Sequence, residues 1–174
     1  MKIFKEILSY AIIILVVVLV RTFIITPVYV DGMSMWPTLN DKDVLLLKKY
    51  DKNIERFDVV VVNVGNSKLV KRVIALPGET IRISSTDTGY GNISSSIYIN
   101  GNLLEEDYGY EPIEEPGVAS VDYKIADDEY FVMGDNRNNS SDSRITGIEA
   151  IKKKNIVGVT SFRIFPFDKV GKID

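Results

Sequence analysis

The chain has 174 residues, 45% of them hydrophobic, a formal net charge of −3, and neither histidine nor cysteine. That length suits one globular domain with a modest appendage, and the scattered, slightly acidic charge argues against a nucleic-acid surface. Without Cys there are no disulfides, cysteine-ligated metals or thiol nucleophiles, and without His there is no Ser-His-Asp triad.

The first predicted element is an apolar run from Ile7 to Ile25, interrupted only by Ser9, Tyr10, Arg21 and Thr22. A hydrocarbon core of about 30 Å needs roughly 20 such residues in a helix, so the run is just long enough to span a membrane, with Arg21 near one end to snorkel. Lys2 and Lys5 precede it, which places the N-terminus in the cytoplasm. A cleavable leader would be shorter and end at a small-residue site, which the exit TFIITPVYVDG lacks. A buried core helix would rarely be apolar on every face. The expected division is a short cytoplasmic segment over 1–6, a transmembrane anchor over 7–25, and an extracytoplasmic domain over 26–174.

Past the anchor the pattern turns to period two. Strands are predicted at Val28–Val30, Val44–Lys48, Val59–Val64, Leu69–Ala75, Ile81–Ser84, Ile97–Ile99, Tyr130–Val132 and Ile156–Ile164. Asn100-Gly101, ahead of Leu103-Leu104, signals a two-residue hairpin turn, and Leu76-Pro77-Gly78 ends a strand sharply. A small β-hairpin insertion is expected around 80–129. Gly147–Lys154 reads as one short helix. Glu105–Gly117, acidic and holding Pro112 and Pro116, reads as a solvated loop. The predicted class is mainly β: a β-sheet or barrel-like domain on one N-terminal transmembrane helix.

Three segments carry candidate chemistry. In Gly32–Leu39, Ser34 follows a strand; Gly32 lets the backbone approach a substrate carbonyl and Pro37 stiffens the exit. A lone serine beside Gly and Pro is more often a turn residue. In Leu69–Glu79, strand phase puts Lys71 with Leu69, Val73 and Ala75, and Arg72 with Val70 and Ile74. If the Lys71 face is buried, desolvation lowers the amine toward a pKa of about 7–8, as a general base requires. The alternative is an edge-strand lysine that blocks aggregation. The loop Gly134–Arg144 holds more hydrogen-bonding groups than a connector needs, though an Asx-rich turn would look similar. A calcium loop would need alternating carboxylates and a closing Glu, which are missing. The chain also matches the Asn-x-Ser acceptor pattern weakly at Asn138 and Asn139.

Together, S-M-x-P-T-L at Ser34–Leu39, K-R-V-I-A-L-P-G-E at Lys71–Glu79 and G-D-N-R-x-N-S-x-D-S-R at Gly134–Arg144, behind an apolar anchor, resemble type I signal peptidase of the Gram-positive form. The resemblance implies a membrane-bound serine endopeptidase that removes signal peptides from exported preproteins at the outer face of the plasma membrane, without metal or cofactor. It implies Ser34 as nucleophile and Lys71 as general base, with Ser140 orienting the lysine. It also implies an Arg72–Asp135 ion pair, Asp142 and Arg144 bracing the loop, and the Ser34 N–H as one oxyanion donor. Two positions depart from the family. Gly32 stands where some members carry a serine whose hydroxyl is the second oxyanion donor. Phe57 precedes Asp58 where the family usually reads Gly-Asp.

The implied partners are secreted preproteins with small residues before the cleavage site, and membrane lipid; no nucleic acid is expected. A preprotein strand is expected to pair with open strand edges, so Val28, Val30, Asp31 and Val70 are the candidate substrate-binding residues. Met35 and Trp36 are candidates for the lipid interface, with core packing the alternative for the only Trp. Two other functions fit parts of the pattern: a Ser/Lys peptidase with a dedicated substrate, and a non-catalytic, membrane-tethered β-domain that binds exported proteins.

Overall fold

A computed structural model describes the backbone of residues 2–23, 25–49, 53–89 and 91–173, and the side chains of the same residues except 2 and 20–23. Among the described residues the chain is mainly β behind a single α-helix, α1 (Lys2–Phe23). All described side chains of α1 are exposed, including Ile7, Ile12, Ile14 and Val17. The anchor-end residue Arg21 lies outside the described side chains. Over the described residues alone, no helix is long and apolar enough to cross a membrane. Ile25, expected to close the apolar run, instead opens the first strand.

The described residues then form twelve strands: β1 (Ile25–Tyr29), β2 (Val44–Lys48), β3 (Val59–Val64), β4 (Ser67–Ala75), β5 (Thr80–Asp87), β6 (Ile93–Ile99), β7 (Asn102–Leu103), β8 (Tyr123–Lys124), β9 (Glu129–Met133), β10 (Ile151–Lys152), β11 (Ile156–Phe165) and β12 (Gly171–Lys172). The first sheet runs β1-β2-β11-β3-β4-β9-β10, with β12 added beside β11. Its ladder is an open path ending at β1 and β10 among the described residues, so the sheet half of the expectation is met and ring closure is not. The second sheet, β7-β6-β5-β8, is built entirely between Thr80 and Lys124. Its Asn100-Gly101 turn has φ of 51° and 79°, the left-handed pair that a two-residue hairpin needs to match strand twist, and it joins Ile99 directly to Asn102.

Period two sorts the core. Tyr130 and Val132 of β9 join Val60, Val62 and Val73 on one side, while Phe131 and Met133 join Ile81, Ile83, Ile97 and Ile99 of the second sheet on the other. A third cluster, Val30, Met35, Leu39, Leu45 and Val59, lies under the segment that carries Ser34.

One sequence expectation fails. Gly147–Lys154 is not a helix: Glu149 adopts a left-handed φ of 53°, and Ile151, 4% exposed, pairs with Tyr130 as β10. Burying Ile151 in a ladder outweighs the helix propensity of so short a segment. Glu105–Gly117 is the solvated loop expected, with most of its residues exposed, though one side chain is buried. Ile113 is 2% exposed, and the segment lies against the loop Gly134–Arg144 through hydrogen bonds from Tyr110 N to Asp135 O and from Val118 N to Arg144 O.

Candidate active site

Ser34 sits in a tight turn after β1, closed by Trp36 N donating to Met33 O at 3.1 Å and Leu39 N donating to Met35 O at 2.8 Å. Met35, 1% exposed, is the apolar peg beneath it, in the cluster with Val30 and Leu45. The expected lipid contact of Met35 is thereby overturned: its side chain fills the core. Trp36 is half-buried, with its ring edge-on to Tyr110 at a centroid distance of 4.1 Å. Asn136 fastens the turn from the other side, its backbone N–H on Ser34 O and its Nδ2 on Met33 O, both at 3.1 Å.

Strand β4 supplies the candidate base. Lys71 and Arg72, opposite Val60 and Val59 of β3, are 2% and 1% exposed, so the strand is buried on both faces here. The Lys71 ammonium donates to Ser34 Oγ at 2.6 Å and to Val70 O at 3.0 Å. Burial pushes the amine down from 10.5 to about 8; Asp142 and then Asp135 pull it back up, and Arg144 adds to the lowering. The net displacement corresponds to about 3 kcal/mol against the charged form. Such an amine is substantially neutral at mildly alkaline pH, when it accepts rather than donates a proton at 2.6 Å.

The loop Gly134–Arg144 completes the constellation through paired charges. Arg72 donates from Nε and Nη2 to the two oxygens of Asp135 at 2.9 and 2.8 Å, and from Nη1 to Phe57 O at 2.9 Å. Arg144 grips Asp142 with the same two-pronged geometry at 2.9 and 2.8 Å, and Gly134 N donates to the same carboxylate at 3.0 Å. Burial alone would raise the Asp142 carboxyl, but the Arg144 guanidinium outweighs it and holds the group below its ordinary value. Each charge here has its counter-ion and hydrogen bonds, the condition under which burial is tolerated.

Ser140 lies at the site, but no hydrogen bond joins it to Lys71. The two hydrogen bonds of Lys71 go to Ser34 Oγ and Val70 O, and the buried Ser140 Oγ has no hydrogen-bond partner. Its hydroxyl is close enough to Asp142 to favour the ionised carboxylate without meeting hydrogen-bond geometry. It is pressed instead against Gly134, where any Cβ would collide with Ser140 Oγ and Ser34 O. Gly134 is therefore required by close approach.

At Gly32, φ is 92° and the N–H donates to Asp41 Oδ1 at 2.9 Å, so that N–H is already engaged. The Ser34 N–H carries no partner among the described residues, which leaves it open toward an incoming oxyanion. Val30 differs from its expected role as a strand edge. Its N–H and C=O are taken by Asp43 O at 2.8 Å and Lys42 N at 2.9 Å, and its side chain is 5% exposed. Val28 lies in β1, the edge strand, opposite Leu45. Val70 pairs with Val61 and packs, half-buried, on the cluster holding Val30, while Asp31 is exposed.

Several site residues escaped the sequence reading. Arg137, 2% exposed, donates from Nε to Gly134 O at 3.0 Å and pairs with Glu106 through two contacts of 2.5 and 2.8 Å. Arg163 of β11 holds Asp43 at 2.7 Å and Thr38 O at 3.3 Å, tying the nucleophile turn to the C-terminal strands. Tyr108 lies over Arg72 with the guanidinium carbon 3.6 Å from the ring centroid. The one available signal for the last was a pair of tyrosines, Tyr108 and Tyr110, inside an otherwise acidic segment.

Comparison with known proteins bears on the family of the chain. A solved signal peptidase I from Enterococcus faecalis aligns at a TM-score of 0.43 and 27% identity, covering 61% of this chain and 95% of that one. A signal peptidase I of Bacillus amyloliquefaciens is 40% identical over 93% of this chain and 89% of its own length. Signal peptidase I S of Bacillus subtilis is 36% identical over 97% and 94%. The family model described as signal peptidase, peptidase S26, matches residues 3–165. The chain belongs to the peptidase S26 family of signal peptidases.

Proposed function

We propose that this signal peptidase is a membrane-anchored endopeptidase that cuts signal peptides from exported preproteins, with Ser34 as nucleophile and Lys71 as general base. The 2.6 Å contact between Lys71 Nζ and Ser34 Oγ, with the amine lowered to about 8, carries this reading. Neutral Lys71 takes the hydroxyl proton as Ser34 Oγ attacks the scissile carbonyl. The resulting ammonium returns the proton to the departing amine, and a water activated by the regenerated amine then hydrolyses the ester. The open Ser34 N–H stabilises the tetrahedral oxyanion. Asp142 and Asp135 favour the transient ammonium, so the base is depressed without losing its capacity to accept a proton.

Anchorage rests on α1. At 22 residues it is about 33 Å long, close to a bilayer core, and its described side chains are exposed and, from Ala11 to Leu19, all apolar. With Lys2 and Lys5 ahead of the apolar run, the N-terminus is cytoplasmic and residues 26–174 are extracytoplasmic. The substrate strand adds along the free edge of β1 at Val28 and beside Val70, with Asp31 at the rim and Val30 acting from below through its side chain. Ser140 acts through Gly134 and Asp142.

The test is cleavage of a purified preprotein by the full chain in lipid vesicles. Wild type is expected to cut once, after a small residue. Ser34→Ala and Lys71→Ala are each expected to lose on the order of 10⁴-fold in kcat/KM. A Lys71→Ala variant that retains wild-type turnover overturns the base assignment, and an intact preprotein with wild type overturns the function.

A further inference from the structure

We propose that Phe57 and Tyr108 form an aromatic cover that positions the Arg72–Asp135 pair, and through it the Lys71 base; the inference rests on the Ser/Lys reading above. Arg72 is held in its plane by Asp135 and by the Phe57 carbonyl, and its face is closed by the Tyr108 ring at 3.6 Å. The Phe57 and Tyr108 rings meet at a centroid distance of 5.1 Å. A guanidinium stacked on a ring face keeps a favourable electrostatic partner while losing water on that side.

Phe57 is the unusual member. Its φ is 73°, a region that bulky side chains rarely enter and that glycine enters freely. The chain thus keeps a glycine-like backbone under a large side chain here. Strain of this kind persists where surrounding contacts hold it. Here they are Phe57 N donating to Val73 O at 2.8 Å, its carbonyl accepting from Arg72, and its ring against Tyr108. The aromatic that costs backbone comfort is also the one that seats Tyr108.

Tyr108 belongs to the segment between β7 and β8, so the cover is delivered by the second sheet. Glu106, two residues earlier, is ion-paired with Arg137, whose Nε holds Gly134 O. The charged groups facing Lys71 are Asp142, Asp135 and Arg144. Opening the cover admits water and loosens Arg72 from Asp135. Less desolvation and a less neutralised Asp135 both favour the ammonium, so both move the acid limb of activity to higher pH.

The experiment measures kcat, KM and the pH dependence of kcat/KM for preprotein cleavage in vesicles, comparing wild type with Tyr108→Leu, Tyr108→Phe and Phe57→Gly. Phe57→Gly relieves the backbone and so guards against a mere folding defect. Tyr108→Leu and Phe57→Gly are each expected to lower kcat about tenfold with KM within about twofold, and to move the acid limb up by about half a pH unit. Tyr108→Phe is expected to restore wild-type values, and the Leu/Gly double variant to be no worse than either single one. Wild-type kcat and pH limb in Tyr108→Leu, losses confined to KM, or a Tyr108→Phe as impaired as Leu each overturn the cover. A wild-type acid limb far from pH 8 sinks the Lys71 reading instead, whatever the variants do.

Discussion

The two sheets treat charge in opposite ways. The buried polar and charged residues of the described structure, among them Lys71, Arg72, Asp135, Arg137, Asp142 and Arg144, all lie on the first sheet or its loops, and none lies between Thr80 and Lys124. The second sheet buries an apolar layer of Ile81, Ile83, Ile97 and Ile99 and keeps its charges outside. Taking an ion out of water costs several kcal/mol unless it is paired. The first sheet carries that cost around Lys71, whose amine is pushed down to about 8 by burial beside Ser34. The second sheet supplies an ordinary core and the Glu105–Gly117 segment that shields the ion pairs.

The sharpest way to break this contrast is to remove a buried carboxylate from the first sheet. Asp135→Asn takes from buried Arg72 the carboxylate it pairs with at 2.8 Å, and urea unfolding is expected to show a loss of about 3–5 kcal/mol. A smaller effect of opposite sign is expected at Lys71. Its folded pKa of about 8 lies below the ordinary 10.5, so the unfolded chain binds the proton more tightly between those values. Stability therefore rises as pH climbs from about 8 to 10.5, and the penalty is fully present below 8. Lys71→Met is accordingly expected to be more stable than wild type by up to about 3 kcal/mol at pH 6, with the advantage vanishing above pH 10.5. Equal gains at both pH values would show that the lysine is not held neutral by burial.

Asp142 titrates in the other direction. Its carboxyl is depressed below 3.8, so the stability it contributes is present above that value and lost as pH falls through the folded one. Acid unfolding of Asp142→Asn is expected to begin from a less stable state and to depend less on pH. The smallest effect belongs to the second sheet. Gly101→Ala places a Cβ at a φ of 79° with nothing within 4 Å, so only backbone strain of about 1 kcal/mol is expected, and preprotein cleavage is expected to be unchanged. A matching drop in kcat would mean that the far hairpin is coupled to the site.

Much of the molecule was legible one residue at a time. The absence of His and Cys narrowed the base to an amine or a carboxylate, period two located most strands, and Asn100-Gly101 announced its hairpin because few residue pairs tolerate two left-handed conformations. The three motifs brought Ser34, Lys71 and the Gly134–Arg144 loop into one hypothesis. Strand phase left open whether Lys71 is buried, since alternation distinguishes faces without saying which is covered; the third dimension covers both. Glu105–Gly117 is solvated as its acidic residues and prolines suggest, yet the contacts of Tyr108, Glu106 and Glu115 with Arg72, Arg137 and Arg144, in segments remote along the chain, were not legible. Gly147–Lys154 failed as a helix because its weak local preference yields to β9. Composition and period thus determined which residues could do chemistry and which elements carried them. Only tertiary structure decided which charges met, because a pKa and a 2.6 Å contact depend on neighbours 37 residues away in the chain.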